Sequence, residues 1–152
     1  MERRVKEGRK ITKIIVHCSA SDTPYQDDIE AVRELHTSAK NRKINWGKYP
    51  THGKGWSQVG YHYFIKKNGL IQKGRDSQKK GAHTLGENPD SIGVCVSGDT
   101  DFTVMQMRKL IMLLQDLIAA HSLTKDDIYP HNLFSKYKTC PNFDLQKILE
   151  EL

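Results

Sequence analysis

No stretch of this chain constrains its fold more than Gly60–Arg75, "GYHYFIKKNGLIQKGR". Two short strand-like runs flank Asn68-Gly69, the dipeptide favoured in two-residue hairpin turns. The rest of the chain supplies further sheet and its cover. "ITKIIVH" (Ile11–His17) and "SIGVCVSG" (Ser91–Gly98) read as buried strands. "DDIEAVRELHTSA" reads as a helix, with Ile29, Val32 and Leu35 near helical spacing behind Asp27 and Asp28. Thr103 is placed to cap a long helix whose Met107, Leu110, Ile111, Leu114, Leu117 and Ile118 form one wide apolar stripe. "DIYPH" reads as a last short strand and "NFDLQKILEEL" as a final helix. The order β-α-β-β-β-α-β-α predicts a single α/β domain, a central mixed sheet flanked by helices. It occupies residues 11–152 behind a basic N-terminal extension over residues 1–10. Lys40–Trp56 carries five Lys/Arg, three glycines and a proline, keeps neither a period of 2 nor of 3.6, and reads as a basic inserted loop.

At 152 residues the chain is long enough to bury one real core without staples. It holds no run of about 18 apolar residues, so no membrane span is expected. "MERRVKEGRK" is basic but has no apolar segment behind it, so no secretory signal is expected either. Synthesis in the cytoplasm follows from that. Cys18, Cys95 and Cys140 are odd in number and scattered, which excludes a disulfide framework and a paired C-x-x-C knuckle. Lys and Arg outnumber Asp and Glu by 24 − 18 = 6. That excess favours an anionic partner: nucleic acid, a teichoic polymer or the carboxylates of peptidoglycan stems.

The chemistry concentrates in two places. His17 closes the first strand, where side chains emerge at a sheet edge and sites are commonly built. Alone, such a histidine is ordinarily a hydrogen-bonded structural residue. The irregular segment "YPHNLFSKYKTCPNFDL" then adds His131 and Cys140, with Lys138 between them. Catalytic zinc takes three protein ligands and keeps a fourth position open, which a His/His/Cys set can supply.

Four motifs in order carry a resemblance: "IIVHCSA", "VGYHYFIKKNG", "GAHTLGENPDSIGVCVSG" and "KTCPNFDL". Together they resemble the zinc-dependent N-acetylmuramoyl-L-alanine amidases of the amidase type 2 family. That family includes small phage lysozymes with amidase activity and the peptidoglycan-recognition proteins. The resemblance spans residues 11–145. It implies Zn2+ as cofactor and peptidoglycan as substrate. It also implies metal ligands at His17, His131 and Cys140, with catalytic roles for Tyr61 and Lys138. His83, in its Gly-flanked motif, is expected to contact the substrate or the transition state. A monomer acting on the cell wall after release or export is expected.

Zinc bound by a thiolate is a weakened Lewis acid, so two polar helpers beside it are chemically reasonable: Lys138 for the oxyanion, Tyr61 to orient water or relay a proton. No H-E-x-x-H helix is present, which disfavours the metalloprotease route. Each residue also has a plainer reading, Tyr61 as hairpin packing and Lys138 as a solvated loop lysine. Cys18 should face away from His17, buried and inert, and Cys95 should be core. His62 is read as structural, while His36 and His121 have no evident partner. "PHNLF" is not the usual setting of the family's second histidine, and residues 37–55 are longer than in compact relatives. Residues 40–56 therefore read either as a solvated surface loop or as a flap for glycan or wall polymer. Two rivals rank below the amidase. A non-catalytic peptidoglycan-binding module would lack the cysteine ligand. A nucleic-acid-binding protein would need more than the aromatic and basic residues of 40–56.

Overall fold

The computed structural model describes residues 9–136 and 138–152. The N-terminal extension expected over residues 1–10 lies outside the described residues except for its last two. Five strands form one mixed sheet in the order β5-β4-β6-β1-β7. They are β1 (Lys13–Cys18), β4 (Tyr63–Ile65), β5 (Ile71–Lys73), β6 (Ser91–Val96) and β7 (Ile128–Pro130). β1 runs parallel to β6 and β7, and β4 parallel to β6, while β4 and β5 are antiparallel.

The two continuous apolar runs become the central strands, because a strand covered on both faces carries no polar alternation. On one face Ile14, Val16, Ile92, Val94 and Val96 pack against α2 (Val104–Ala120) and α3 (Leu145–Leu149). Thr103 caps α2 in a reciprocal capping box with Gln106. On the other face Phe64 and Cys95 pack against Ile29, Val32 and Leu35 of α1 (Ile29–Thr37), which starts at the Asp28 cap. Cys95 is fully buried there, as read from sequence.

Two expectations are corrected. The β4–β5 connection is a three-residue loop, not a two-residue turn: Gly69 N–H donates to Lys66 O, and Lys66 N–H to Leu70 O. Only Gly69 takes positive φ (+88°), so Asn68-Gly69 closes a type I turn followed by a left-handed glycine. Residues 40–56, read as a loop, contain a second two-stranded sheet, β2 (Lys43–Trp46) paired antiparallel with β3 (Tyr49–His52). Ile44 and Trp46 alternate with outward Lys43 and Asn45, a period of 2 too short to stand out among glycines and lysines. Trp46 is buried, and its indole N–H donates to Ser19 O at 2.5 Å.

Candidate active site

The parallel register brings the first two candidate ligands together. Val16 pairs with Pro130, so His17 and His131 each lie one residue beyond the last pair of β1 and β7. Their ring centroids are 4.3 Å apart. The chain then forms a single 3-10 turn, His131–Leu133, and returns so that Asn132 N–H donates to Cys140 O at 3.0 Å. That bond closes the late segment on itself. It carries the Cys140 thiol to the end of β1, where the backbone N–H of Cys18 donates to Sγ at 2.9 Å. One ligand atom from each of His17, His131 and Cys140 lies within 4.8 Å of the others.

Protonation suits such a set. Burial first, then the neighbouring His83 and His131, holds His17 well below the usual imidazole range. Burial and then the Lys138 charge lower His131. Both rings are therefore neutral near pH 7, with a lone pair each to give.

A cavity of ≈ 490 Å³ opens above these groups, lined among others by Tyr61, His131, Lys138 and Cys140. The Tyr61 ring lies 5.1 Å from that of His17. Burial, followed by the thiols of Cys95 and Cys140, pushes its phenol pKa well above 10. Tyr61 is thus a neutral O–H donor at any working pH. Lys138 also lines the cavity and is exposed, its backbone N–H donating to Ser135 O.

Three residues behave differently from their sequence reading. Cys18 is buried, as expected, but does not turn away from the site: at the last position of β1 it lines the cavity beside Cys140. His83 is not among the cavity-lining residues; it lies behind His17, with Nδ1 2.8 Å from His17 Nε2. His36 lines the cavity, packed against Trp56 at 4.8 Å and Tyr61 at 5.5 Å. Its Nδ1 accepts Gly60 N–H at 2.8 Å. Nothing local in "RELHTSA" distinguishes that histidine from a surface one. His62 is structural as expected: Nδ1 accepts Gly93 N–H and Nε2 donates to Lys79 O.

Sequence reasoning also missed a buried brace on the cavity wall. Asp99 is 6% exposed; Tyr49 of β3 donates to its Oδ2 at 3.2 Å. Asn142, two residues after Cys140, donates to its backbone oxygen at 2.9 Å and to Oδ1 at 3.2 Å. The β2–β3 hairpin, the end of β6 and the cysteine segment are thereby fastened to one carboxylate.

The chain is similar to known proteins in sequence and in fold. Residues 7–143 match the family model described as N-acetylmuramoyl-L-alanine amidase. The chain is 32% identical over 154 residues to the endolysin of Escherichia phage T7, covering 96% of this chain and 90% of that protein. It is 33% identical over 150 residues to the endolysin of Enterobacteria phage T3, covering 91% and 85%. Among solved structures it resembles the N-acetylmuramoyl-L-alanine amidase LysC from Clostridium intestinale URNW. That match has a TM-score of 0.76 at 25% identity and covers 94% of this chain and 85% of LysC.

Proposed function

Because the chain belongs to the amidase type 2 family and hydrolyses the amide between N-acetylmuramic acid and L-alanine in peptidoglycan, we propose that it does so with zinc held by His17, His131 and Cys140. The observation that carries this reading is the convergence of those three donors, two of which, His131 and Cys140, line a cavity that also presents Tyr61 and Lys138. Two neutral imidazoles and one thiol are a borderline-soft set that suits zinc, and three protein ligands leave the fourth position to water or substrate. When bound, zinc supplies Lewis acidity and lowers the pKa of water from ~15.7 to about 7.

The chain's own residues do the rest. Lys138 faces the cavity as a cation for the negative charge that develops on the scissile carbonyl oxygen. Tyr61, whose phenol burial keeps protonated, donates a hydrogen bond that orients the attacking water. The Cys18 side chain, then burial, push the Cys140 thiol up, so metal uptake displaces a proton there.

The catalytic unit is residues 11–152, a monomer that meets peptidoglycan in the wall after release. No described helix is long and apolar enough to cross a membrane. The basic excess serves the anionic wall rather than nucleic acid.

The test is mass spectrometry of purified peptidoglycan digested with and without a chelator, alongside elemental analysis of the protein. The expected products are stem peptides beginning at L-alanine and glycan free of peptide. Chelator should stop the reaction, added zinc should restore it, and one zinc per chain should be found. Activity that survives complete metal removal would sink the zinc site.

A further inference from the structure

His83 sits in a slot too closely built for a filler. Its ring stands edge-on to His17, with centroids 4.8 Å apart and planes at 89°. His83 Nδ1 lies 2.8 Å from His17 Nε2, and Thr84 Oγ1 is 3.0 Å from the former and 3.3 Å from the latter. Beyond the ring, Ser91 Oγ is 3.3 Å from His83 Nε2. Two glycines make the room: a Cβ at Gly93 would come 2.5 Å from the ring, and one at Gly81 2.6 Å. β6 is thus without a side chain where the imidazole rests on it. Asn88 Oδ1 clamps the loop by accepting the N–H groups of both His83 and Thr84 at 3.0 Å.

Proton placement follows from these contacts. With His17 Nε2 committed to His83 and Thr84, Nδ1 is the nitrogen left to face His131 and Cys140. A histidine that ligates through one nitrogen carries its proton on the other. His17 Nε2–H therefore donates to His83 Nδ1, which obliges His83 to carry its own proton on Nε2 and donate it to Ser91 Oγ.

We propose that His83 is a positioning residue for the amidase reaction: it accepts the His17 Nε2 proton, and so fixes the tautomer and ring plane that present His17 Nδ1 to the metal. Ser91 fixes the tautomer of His83 in turn. The partner's chemistry matters. A carboxylate at this place would add negative charge beside a metal already bound to a thiolate, whereas a neutral imidazole orients the ligand and leaves the metal's charge undiminished. The inference rests on the zinc reading above.

The experiment compares wild type with His83→Phe, which fills the slot without an acceptor, and His83→Asn, whose Oδ1 falls near the lost Nδ1. Zinc affinity is read by competition with a chromophoric chelator, ligand geometry by the visible spectrum of the Co(II)-substituted protein, and catalysis by kcat and KM on soluble muropeptides. His83→Phe is expected to weaken zinc binding by about 10–100-fold, the range for loss of a ligand's orienting partner. It should also shift the Co(II) bands and lower kcat with KM unchanged. His83→Asn should recover most of the affinity. Wild-type zinc affinity in His83→Phe, an Asn variant no better than Phe, or a rise in KM alone would each overturn the proposal. Where His83→Phe fails to fold, Ser91→Ala leaves ring and slot in place and should weaken zinc several-fold; unchanged binding there overturns it equally. A wild type that binds no zinc removes the zinc reading itself, an outcome distinct from equal affinities in zinc-binding variants.

Discussion

At the scale of single residues, Cys140 separates the site from the scaffold most cleanly. Serine is nearly isosteric with cysteine, but its hydroxyl stays protonated near neutral pH and ligates zinc poorly. Cys140→Ser should therefore lose zinc and amidase activity while circular dichroism shows the sheet and helices intact. Cys95→Ser, buried between β6 and α1, should cost stability and keep the metal. Retention of zinc and hydrolysis by Cys140→Ser would refute the ligand set. Tyr61→Phe and Lys138→Ala should keep zinc yet lose on the order of 10²–10⁴-fold in kcat, the range for a positioned donor or oxyanion partner. Wild-type rates in both would show that neither acts in the reaction. His17, Tyr61, Lys138 and Cys140 could be singled out in the sequence because they fall in short motifs, whereas His131 stood out only as a histidine on the same irregular segment as Cys140. The orientations of Cys18 and His83 were not readable from the sequence for a geometric reason. Period-2 logic holds only inside a strand, and Cys18 is the last residue of β1. His83 lies in a loop, where spacing does not say which way a ring points.

Among the elements, the β2–β3 hairpin was the least legible, and its anatomy decides what it can do. Its inner face is structural. Trp46 is 6% exposed, Gln26 donates to Asn45 O and accepts Gly47 N–H, and Gly53 presses on the backbone at Ser38. Trp46→Ala should cost about 3–5 kcal/mol in denaturant unfolding, as for other buried Trp truncations. Removing the whole segment would for that reason confuse folding with binding. The outer face carries exposed Lys43, and Lys48 lies between the strands; neither makes an ion pair among the described residues. Exchanging both for serine should leave the unfolding free energy within about 0.5 kcal/mol of wild type. The same exchange should reduce co-sedimentation with whole cell walls at low salt, and the difference should fade as salt screens it. Equal losses on soluble muropeptides would instead give the hairpin a part in catalysis. The long elements were readable because α2 and the two central strands repeat their pattern over whole turns or uninterrupted runs. Four-residue strands around a glycine do not.

For the molecule as a whole, the placement of its histidines sets how it meets acid. His36 and His62 are buried, and burial is the main reason each pKa drops from 6.5 to about 4. The folded state thus refuses a proton that the unfolded chain accepts. The stability tied to these neutral rings is complete above pH 6.5 and is lost as pH falls towards 4. Its slope is about 1.4 kcal/mol per pH unit for each histidine. Asp22 acts in a lower window. Burial raises its pKa, but the Lys67 ammonium at 2.7 Å and the N–H groups of Thr100 and Asp99 outweigh that and hold it well below 3.8. Its contribution is complete above pH 3.8 and fades only below it. The two windows can be read apart. His36→Asn keeps an acceptor for Gly60 N–H and should flatten the stability curve between pH 6 and 4.5 by about one proton's slope. Asp22→Asn should lower stability by about 1–3 kcal/mol, equally at pH 7 and pH 5, and converge on wild type only at lower pH. Urea unfolding of the metal-free protein across pH 3.5–7 measures both. If His36→Asn leaves the slope unchanged, or the Asp22→Asn deficit already shrinks between pH 7 and 5, then the acid response belongs to other groups.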